Sequence, residues 1–277
     1  MPEGHTIHRI AKDLSKRMLN HPLQVSSPQG RFRAESRVLD GQKMVAAFAR
    51  GKHLFCRWED EQVMHVHLGL YGKLRFRKVP LAEPRGQVRV RMIGASYGID
   101  LNGPNQCELI SQDELEEKVS RLGVDPLDNQ SDPDIAWERI SRSRAAIATL
   151  LLNQSVIAGV GNVYRCEALF HLGLPPDLPG KELSRKQFQS MWQLLRNWLQ
   201  IGVKYNRIIT VDTEEIGTAP SKLKKAERLL IYKKDVCPQC DAGVRTETFA
   251  ARKLYFCPVC QASNSNKKYQ AKAKRRK

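Results

Sequence analysis

The chain has 277 residues, of which 41% are hydrophobic and 27% charged, which suits two or three folded domains with cores of their own. Lys and Arg outnumber Asp and Glu 46 to 29 and the pI is near 9.7; seven of those cations lie after Cys260, so most of the excess is spread along the chain. This balance points to a polyanion, nucleic acid before membrane, and the longest apolar run, Ala145 to Leu152 around Thr149, is too short to span a bilayer.

The chain opens Met1-Pro2-Glu3-Gly4. Removal of Met1 beside the small Pro2 is expected, and it leaves a secondary amine. Such an amine condenses with a carbonyl to give an iminium that is cationic without protonation, a lasting electron sink. An α-amino group titrates near ~7.7–8.0, so part of it is nucleophilic at neutral pH, and Glu3 stands next to it as a proton carrier. The same residues also suit an ordinary helix start, with Pro in the first turn and an acid near the N-terminus. A helix is predicted over Thr6 to Met18, because Ile7, Ile10, Ala11, Leu14 and Met18 recur at steps of three and four.

A strand-rich region follows. Lys52 to Trp58, Val63 onward, Leu74 and Phe76, Val88 to Met92 and Cys107 to Ile110 read as strands. Met64, Val66, Leu68 and Leu70 share one face, and His65, His67 and Tyr71 the other. The expectation is an antiparallel sandwich or barrel with one apolar and one basic face. His65 and His67 have same-face spacing for a metal, but no third ligand is apparent nearby. Gly69-Leu70-Tyr71-Gly72 reads either as a tight turn that presents Leu70 and Tyr71 outward, as wedges for a base stack, or as two core residues at a bulge. Lys52, after Arg50 and Gly51, belongs to a basic cluster of the kind often found in a solvated loop.

Ser111 to Glu114 is a capping box opening a short helix through Leu115, Val119 and Leu122. Residues 128–134 are polar and read as a linker. Helices are then expected around Trp137 and Ile140, over Ala145 to Leu152, over Val163 to Leu172, and from Ser184 to a stop at Gly202. Between the second and third lies Asn153 to Asn162, two tight turns in which Gly159 and Gly161 allow close backbone approach and Asn162 serves as N-cap beside a phosphate, or simply as the cap of a packing unit. Residues 203–226 are polar and aperiodic, a long loop of the functional or mobile kind.

Cys237-x₂-Cys240 and Cys257-x₂-Cys260, sixteen residues apart, have four-thiolate zinc spacing. One structural zinc ion, closed to substrate, is expected. Thr246 to Phe256 between the pairs reads as a hairpin with Arg245, Arg252 and Lys253 placed to touch phosphates, or as a ribbon used only for packing. The remaining cysteines, Cys56, Cys107 and Cys166, fit reduced thiols, and with no charged-then-apolar leader a cytoplasmic location is expected. The lysine-rich segment 263–277 suits a disordered electrostatic tether.

Pro-Glu-Gly at 2–4, Arg-Gly-Lys-His-Leu at 50–54, Leu-Tyr-Gly at 70–72, Ala-Gly-Val-Gly-Asn at 158–162 and the four-cysteine finger occur together in this order. In this the chain resembles the formamidopyrimidine-DNA glycosylase/endonuclease VIII family over about residues 1–262, nearer the endonuclease VIII branch. The resemblance implies an α+β chain: an N-terminal β-sandwich catalytic domain with an N-terminal helix (1–124), a helix-two-turn-helix domain (125–226), a zinc finger (227–262) and the basic tail. It implies a bifunctional glycosylase and lyase that acts on damaged double-stranded DNA, as a monomer. Pro2 resembles the nucleophile at C1′, Glu3 the acid that helps open the sugar, and Lys52 a lysine on the phosphate near the lesion. Asn162 and Arg252 resemble the pair that grips a kinked strand, and Leu70 and Tyr71 the residues that fill the void of a flipped base. Two departures stand out: His5-Thr6 replaces the Pro-Glu that often continues the family's opening, and Gly69 replaces a polar residue common before Leu-Tyr. The alternatives are a non-catalytic zinc-ribbon nucleic-acid binder, for which Pro2 is dispensable, and an RNA-associated factor.

Overall fold

The computed structural model describes residues 2–262. The expected tether at 263–277 lies outside the described residues. The chain divides into two compact units, Met1–Leu122 and Gly123–Lys277. Among the described residues no helix is long and apolar enough to cross a membrane.

The first unit begins with α1 (Gly4–Arg17), which buries Ile7, Ile10, Ala11 and Leu14. Two four-stranded antiparallel sheets follow. One has the order β1 (Gln24–Ser26), β6 (Val88–Ile93), β7 (Tyr97–Asn102), β5 (Lys73–Lys78). The other runs β2 (Met44–Arg50), β3 (His53–Trp58), β4 (Val63–His67), β8 (Gln106–Ile110). Met64 and Val66 of β4, Val90 and Met92 of β6 and Leu101 of β7 meet the apolar stripe of α1 in one core with Trp58 and Phe32. Helix α2 (Arg33–Leu39) contributes Leu39 to that core; it is too short to have shown a period. Helix α3 (Gln112–Ser120) starts with the expected capping box: Ser111 Oγ accepts from Glu114 N and the Glu114 carboxylate accepts from Ser111 N.

The expected basic outer face is absent from the β2–β3–β4–β8 sheet. Leu115 of α3 covers Phe55, Val63 and Ile110, with Phe48 and Val119 alongside. A helix laid on the second face makes β4 buried on both sides, so its His65 is buried too. The run of alternating residues also stops earlier than expected. Gly69 takes φ +65° and turns the chain out of β4, so Leu68 is buried while Leu70, expected on the same face, is 44% exposed.

The second unit carries α4 (Pro133–Ser141), the single turn α5 (Ile147–Leu150), α6 (Asn162–His171), α7 (Arg185–Tyr205) and the hairpin β9 (Arg245–Phe249), β10 (Arg252–Phe256). Helix α5 is half the length expected, because Asn153 N turns back onto Leu150 O. Helix α7 runs past Gly202, which is buried within it, and ends at Asn206 with φ +52°. Asn tolerates the left-handed cap, so the aperiodic stretch is shorter than 203–226 by the end of that helix. Leu169, Phe170, Phe188, Leu195 and Leu199 form one core with Ile231, Leu254 and Phe256, so the hairpin and the helices share a single interior.

Candidate active site and nucleic-acid-binding residues

In the first unit, Glu3 is the N-cap of α1 and is 0% exposed, while Pro2 before it is half-buried. The Glu3 carbonyl accepts from Thr6 N at 2.9 Å. The packing of Ile7, Ile10 and Leu14 fixes this end of the helix, and the positive end of the helix favours a carboxylate there. His5 is buried and pushed down to about 4, with burial as the largest cause; at neutral pH it is an uncharged neighbour of Glu3.

Lys52 sits in the two-residue turn between β2 and β3, where Arg50 pairs with His53. Only the first central residue, Gly51, has positive φ, +56°, the requirement of a type II′ hairpin turn. The turn thus projects a half-buried Lys52 from the end of a rigid ribbon.

Gly69 to Gly72 form the tight turn. Gly72 N donates to Leu68 O at 3.0 Å. A Cβ at Gly72 would stand 2.3 Å from that oxygen, and one at Gly69 would stand 2.7 Å from Asn105 Cβ. Both glycines are therefore required by close approach, and between them Leu70 and Tyr71 are pushed outward, Tyr71 to 80% exposure.

Register supplies a group that the sequence did not reveal. β3 and β4 pair His53 with His67 and Phe55 with His65, and β4 and β8 pair His65 with Glu108. His53 Nδ1 lies 2.9 Å from His65 Nε2, His65 Nδ1 lies 2.8 Å from Glu108 Oε1, and Lys118 Nζ lies 3.0 Å from the same oxygen. A third imidazole does stand beside His65 and His67, contrary to expectation. Yet His53 and His65 are joined to each other through ring nitrogens and His65 to Glu108, and among the described residues the cysteines alone form a metal-holding group. Burial lowers all three histidines, His53 to about 3. Burial works against the Glu108 carboxyl, but the bonds from His65 and Lys118 prevail and hold it below its usual range.

In the second unit, the two tight turns are braced by one side chain. Gln154 Nε2 donates to Leu152 O at 2.8 Å and Val160 O at 3.0 Å, while its Oε1 accepts from Gly159 N at 3.0 Å. Gly159 needs φ +92°. The expected cap is displaced by one residue: Gly161 is the N-cap of α6 and Asn162 is its first residue. The Asn162 carboxamide instead donates from Nδ2 to Lys253 O at 2.8 Å and accepts at Oδ1 from Arg165 at 2.5 Å. It is thereby tied to the β9–β10 hairpin that carries Arg252.

The four cysteine sulfurs lie within 4.8 Å of one another. Cys237–Cys260 is 3.8 Å, Cys240–Cys257 3.5 Å and Cys240–Cys260 3.4 Å. Thiolates about 2.3 Å from a tetrahedral ion stand roughly 3.8 Å apart, so the donor set fits one metal ion with no open position. Backbone amides of Gln239 and Cys260 point at the sulfurs of Cys237 and Cys257, each at 3.4 Å, which suits anionic ligands.

Pro2, Glu3, Lys52, Leu70 and Tyr71 thus belong to the first unit, and Asn162, Arg252 and the four cysteines to the second. Residues 1–104 match the formamidopyrimidine-DNA glycosylase N-terminal domain, and residues 122–214 the formamidopyrimidine-DNA glycosylase H2TH domain. The chain is 43% identical to Endonuclease 8 1 of Mycobacterium tuberculosis over 267 residues, covering 94% of this chain and 100% of that protein. It is 30% identical to the formamidopyrimidine-DNA glycosylase of Thermomicrobium roseum over 239 residues, 79% of this chain and 82% of that one. In fold it is similar to the Lactococcus lactis Fpg in complex with an abasic-site-containing DNA, with a TM-score of 0.78 at 23% identity over 94% of this chain and 100% of that one. The chain belongs to the formamidopyrimidine-DNA glycosylase/endonuclease VIII family of base-excision DNA glycosylases and AP lyases, on its endonuclease VIII side.

Proposed function

We propose that this protein removes oxidised pyrimidines from duplex DNA and cuts the strand by β,δ-elimination, with the Pro2 amine as nucleophile. The observation that carries this reading is the chain start, where half-buried Pro2 precedes a fully buried Glu3 at the N-cap of a helix whose apolar stripe is locked in the core. A chain end held this firmly keeps its amine in one place, and termini without such anchoring are mobile.

Once Met1 is removed, the Pro2 nitrogen attacks C1′ of an everted nucleotide and the base leaves with the glycosidic electron pair. The Glu3 carboxylate takes the proton that the Pro2 nitrogen sheds after attack and passes it to the ring oxygen as the C1′–O4′ bond opens, and an iminium forms between C1′ and Pro2. The cation acidifies the C2′ proton; its loss expels the 3′ phosphate, and a second elimination expels the 5′ phosphate. Lys52 holds the phosphate next to the lesion. Leu70 and Tyr71 enter the gap in the stack; everting the nucleotide costs about a few kcal/mol, and less when its base is damaged and weakly stacked. Asn162 and Arg252 bind phosphates of the bent strand.

The four thiolates hold one zinc ion, which supplies fold to the hairpin. The loop after α7 contributes to base choice. Its base is closed where Thr210 N donates to Arg228 O at 2.9 Å. The Glu167 carboxylate receives Leu230 N at 2.6 Å, Ile231 N at 2.9 Å and Tyr232 N at 2.7 Å, together with the Thr210 hydroxyl. The oxidised-pyrimidine preference is supported by the relation to Endonuclease 8 1.

A cleavage panel of duplexes, each with one oxidised pyrimidine, one oxidised purine or an abasic site, tests the reading. Pyrimidine lesions and abasic sites are cut to β,δ-products, and an N-terminal extension that masks Pro2 stops the reaction while a C-terminal tag does not. Equal cutting by the extended protein contradicts the role of Pro2.

A further inference from the structure

Arg165 is fully buried on α6, three residues after Asn162, and its guanidinium is bound to four protein oxygens. One terminal nitrogen donates to Ala148 O at 3.1 Å and to Phe249 O at 3.2 Å. The other donates to Asn162 Oδ1 at 2.5 Å and to Arg252 O at 3.5 Å. Phe249 and Arg252 are the paired residues on either side of the β9–β10 turn, so the fork holds both ends of the turn at once.

That turn needs holding. Its two central residues are Ala250 and Ala251, with φ +48° and +57°. A two-residue turn with positive φ at both positions favours Asn-Gly or Asp-Gly, and a left-handed alanine costs roughly 1–2 kcal/mol. The alanines make no contribution to keeping this geometry; the carbonyls on either side are fixed from below by Arg165, and the next carbonyl, Lys253 O, by Asn162 Nδ2 at 2.8 Å. The planar fork of a guanidinium suits such a multi-acceptor site, and an ammonium on a flexible stem does not reproduce it.

We propose that Arg165 is a positioning residue for DNA binding, which sets the Asn162 carboxamide and the Arg252 side chain in one fixed arrangement so that both engage the strand together. This rests on the proposed phosphate roles of Asn162 and Arg252. With its two terminal nitrogens turned to Ala148, Phe249, Asn162 and Arg252, Arg165 acts on DNA through Asn162 and Arg252.

The test is binding to a duplex with a tetrahydrofuran abasic analogue, measured by anisotropy across salt concentrations. It uses the full zinc-loaded chain and the variants Arg165→Ala, Arg165→Lys, Asn162→Ala, Arg252→Ala and Asn162→Ala/Arg252→Ala, the last alone and with Arg165→Ala. Zinc content and hydrogen exchange of the α7 amides identify folded variants, and Arg165→Lys serves if Arg165→Ala does not fold. Arg165→Ala is expected to weaken binding about tenfold, the scale of coupling between residues in one network, and to reduce the salt slope by up to about 0.9, the one phosphate that Arg252 neutralises. In the Asn162→Ala/Arg252→Ala background the further loss shrinks to about twofold or less, because nothing remains to be positioned. Arg165→Lys behaves like Arg165→Ala. An unchanged salt slope, full rescue by Arg165→Lys, or an undiminished loss in the double-variant background overturns the positioning role while leaving the phosphate contacts standing. If neither Asn162→Ala nor Arg252→Ala weakens binding, the reading beneath it fails and the positioning role fails with it.

Discussion

In the first unit the core is built of apolar side chains that alternate along strands and one amphipathic helix, as with Met64 and Val66 on β4 and Ile7, Ile10 and Leu14 on α1, and its buried ion pair, Arg91–Asp100, joins two adjacent strands. In the second, two fully buried charged residues on a single helix reach out to the backbone of segments far along the chain. Arg165 binds carbonyls at Ala148 and Phe249, and Glu167 binds amides at 230–232. Both units remove an apolar core from water, and the second adds hydrogen bonds from buried charges to irregular backbone, whose loss leaves buried groups without partners. The second arrangement fixes irregular segments, such as the hairpin turn and the base of the loop after α7, which present too little apolar surface to hold themselves.

The largest effect expected of this difference is on metal removal. A chelator withdraws a contribution that is about 10–16 kcal/mol in zinc-finger peptides, so the β9–β10 hairpin should lose its hydrogen-exchange protection and DNA binding should disappear. Amides of α1 and of β2 to β4 should keep theirs, and parallel loss of protection in both units contradicts the division. Next in size is Glu167→Ala, expected to cost the second unit about 3–5 kcal/mol, because Leu230, Ile231 and Tyr232 amides are left without the acceptor they now have. Urea titration followed by exchange of α6 amides checks this, and a cost under 1 kcal/mol argues that the apolar core alone holds that segment. Leu14→Ala in the first unit should cost about 2–5 kcal/mol, the range for buried leucine truncation, with the loss confined to amides of the first unit.

Acid should weaken the first unit through its histidine group. His53 is lowered from 6.5 to about 3, mainly by burial and then by the positive field of His65 and His67. Below pH 6.5 the unfolded chain takes up a proton that folded His53 refuses, so stability is complete above pH 6.5 and falls as the pH drops toward 3. His53→Phe, which preserves the stack with Phe55 and His65, should flatten the dependence between pH 6.5 and 5 measured by exchange of β3 and β4 amides. An unaltered slope removes His53 as its source.

What was legible in the sequence follows the same division. Periods of two and of three to four residues reveal the strands and α1, because solvent and core sort side chains by turns. The cysteine spacing reveals the metal cluster, because two knuckles need those intervals. Register does not show in a single strand, so the meeting of His53, His65 and Glu108 across three strands was invisible; the helix after Ser111 was legible from its capping box, but not that it lies on this sheet. Arg165 and Glu167 break the apolar pattern of α6, and their partners are backbone atoms, which carry no residue identity. The displacement of the cap from Asn162 to Gly161 has the same origin: the local choice favoured a cap, and a carbonyl 91 positions away won the carboxamide.

The proposed chemistry depends on the amine at the chain start, and peptide mapping after reductive trapping addresses it directly. The protein is mixed with an oxidised-pyrimidine duplex in the presence of borohydride, digested, and the modified peptide sequenced by mass spectrometry. The account predicts that the DNA remnant sits on the N-terminal peptide, attached to Pro2 with Met1 gone. A remnant on a lysine, or an N-terminal peptide that retains Met1 in protein that still cuts, contradicts it.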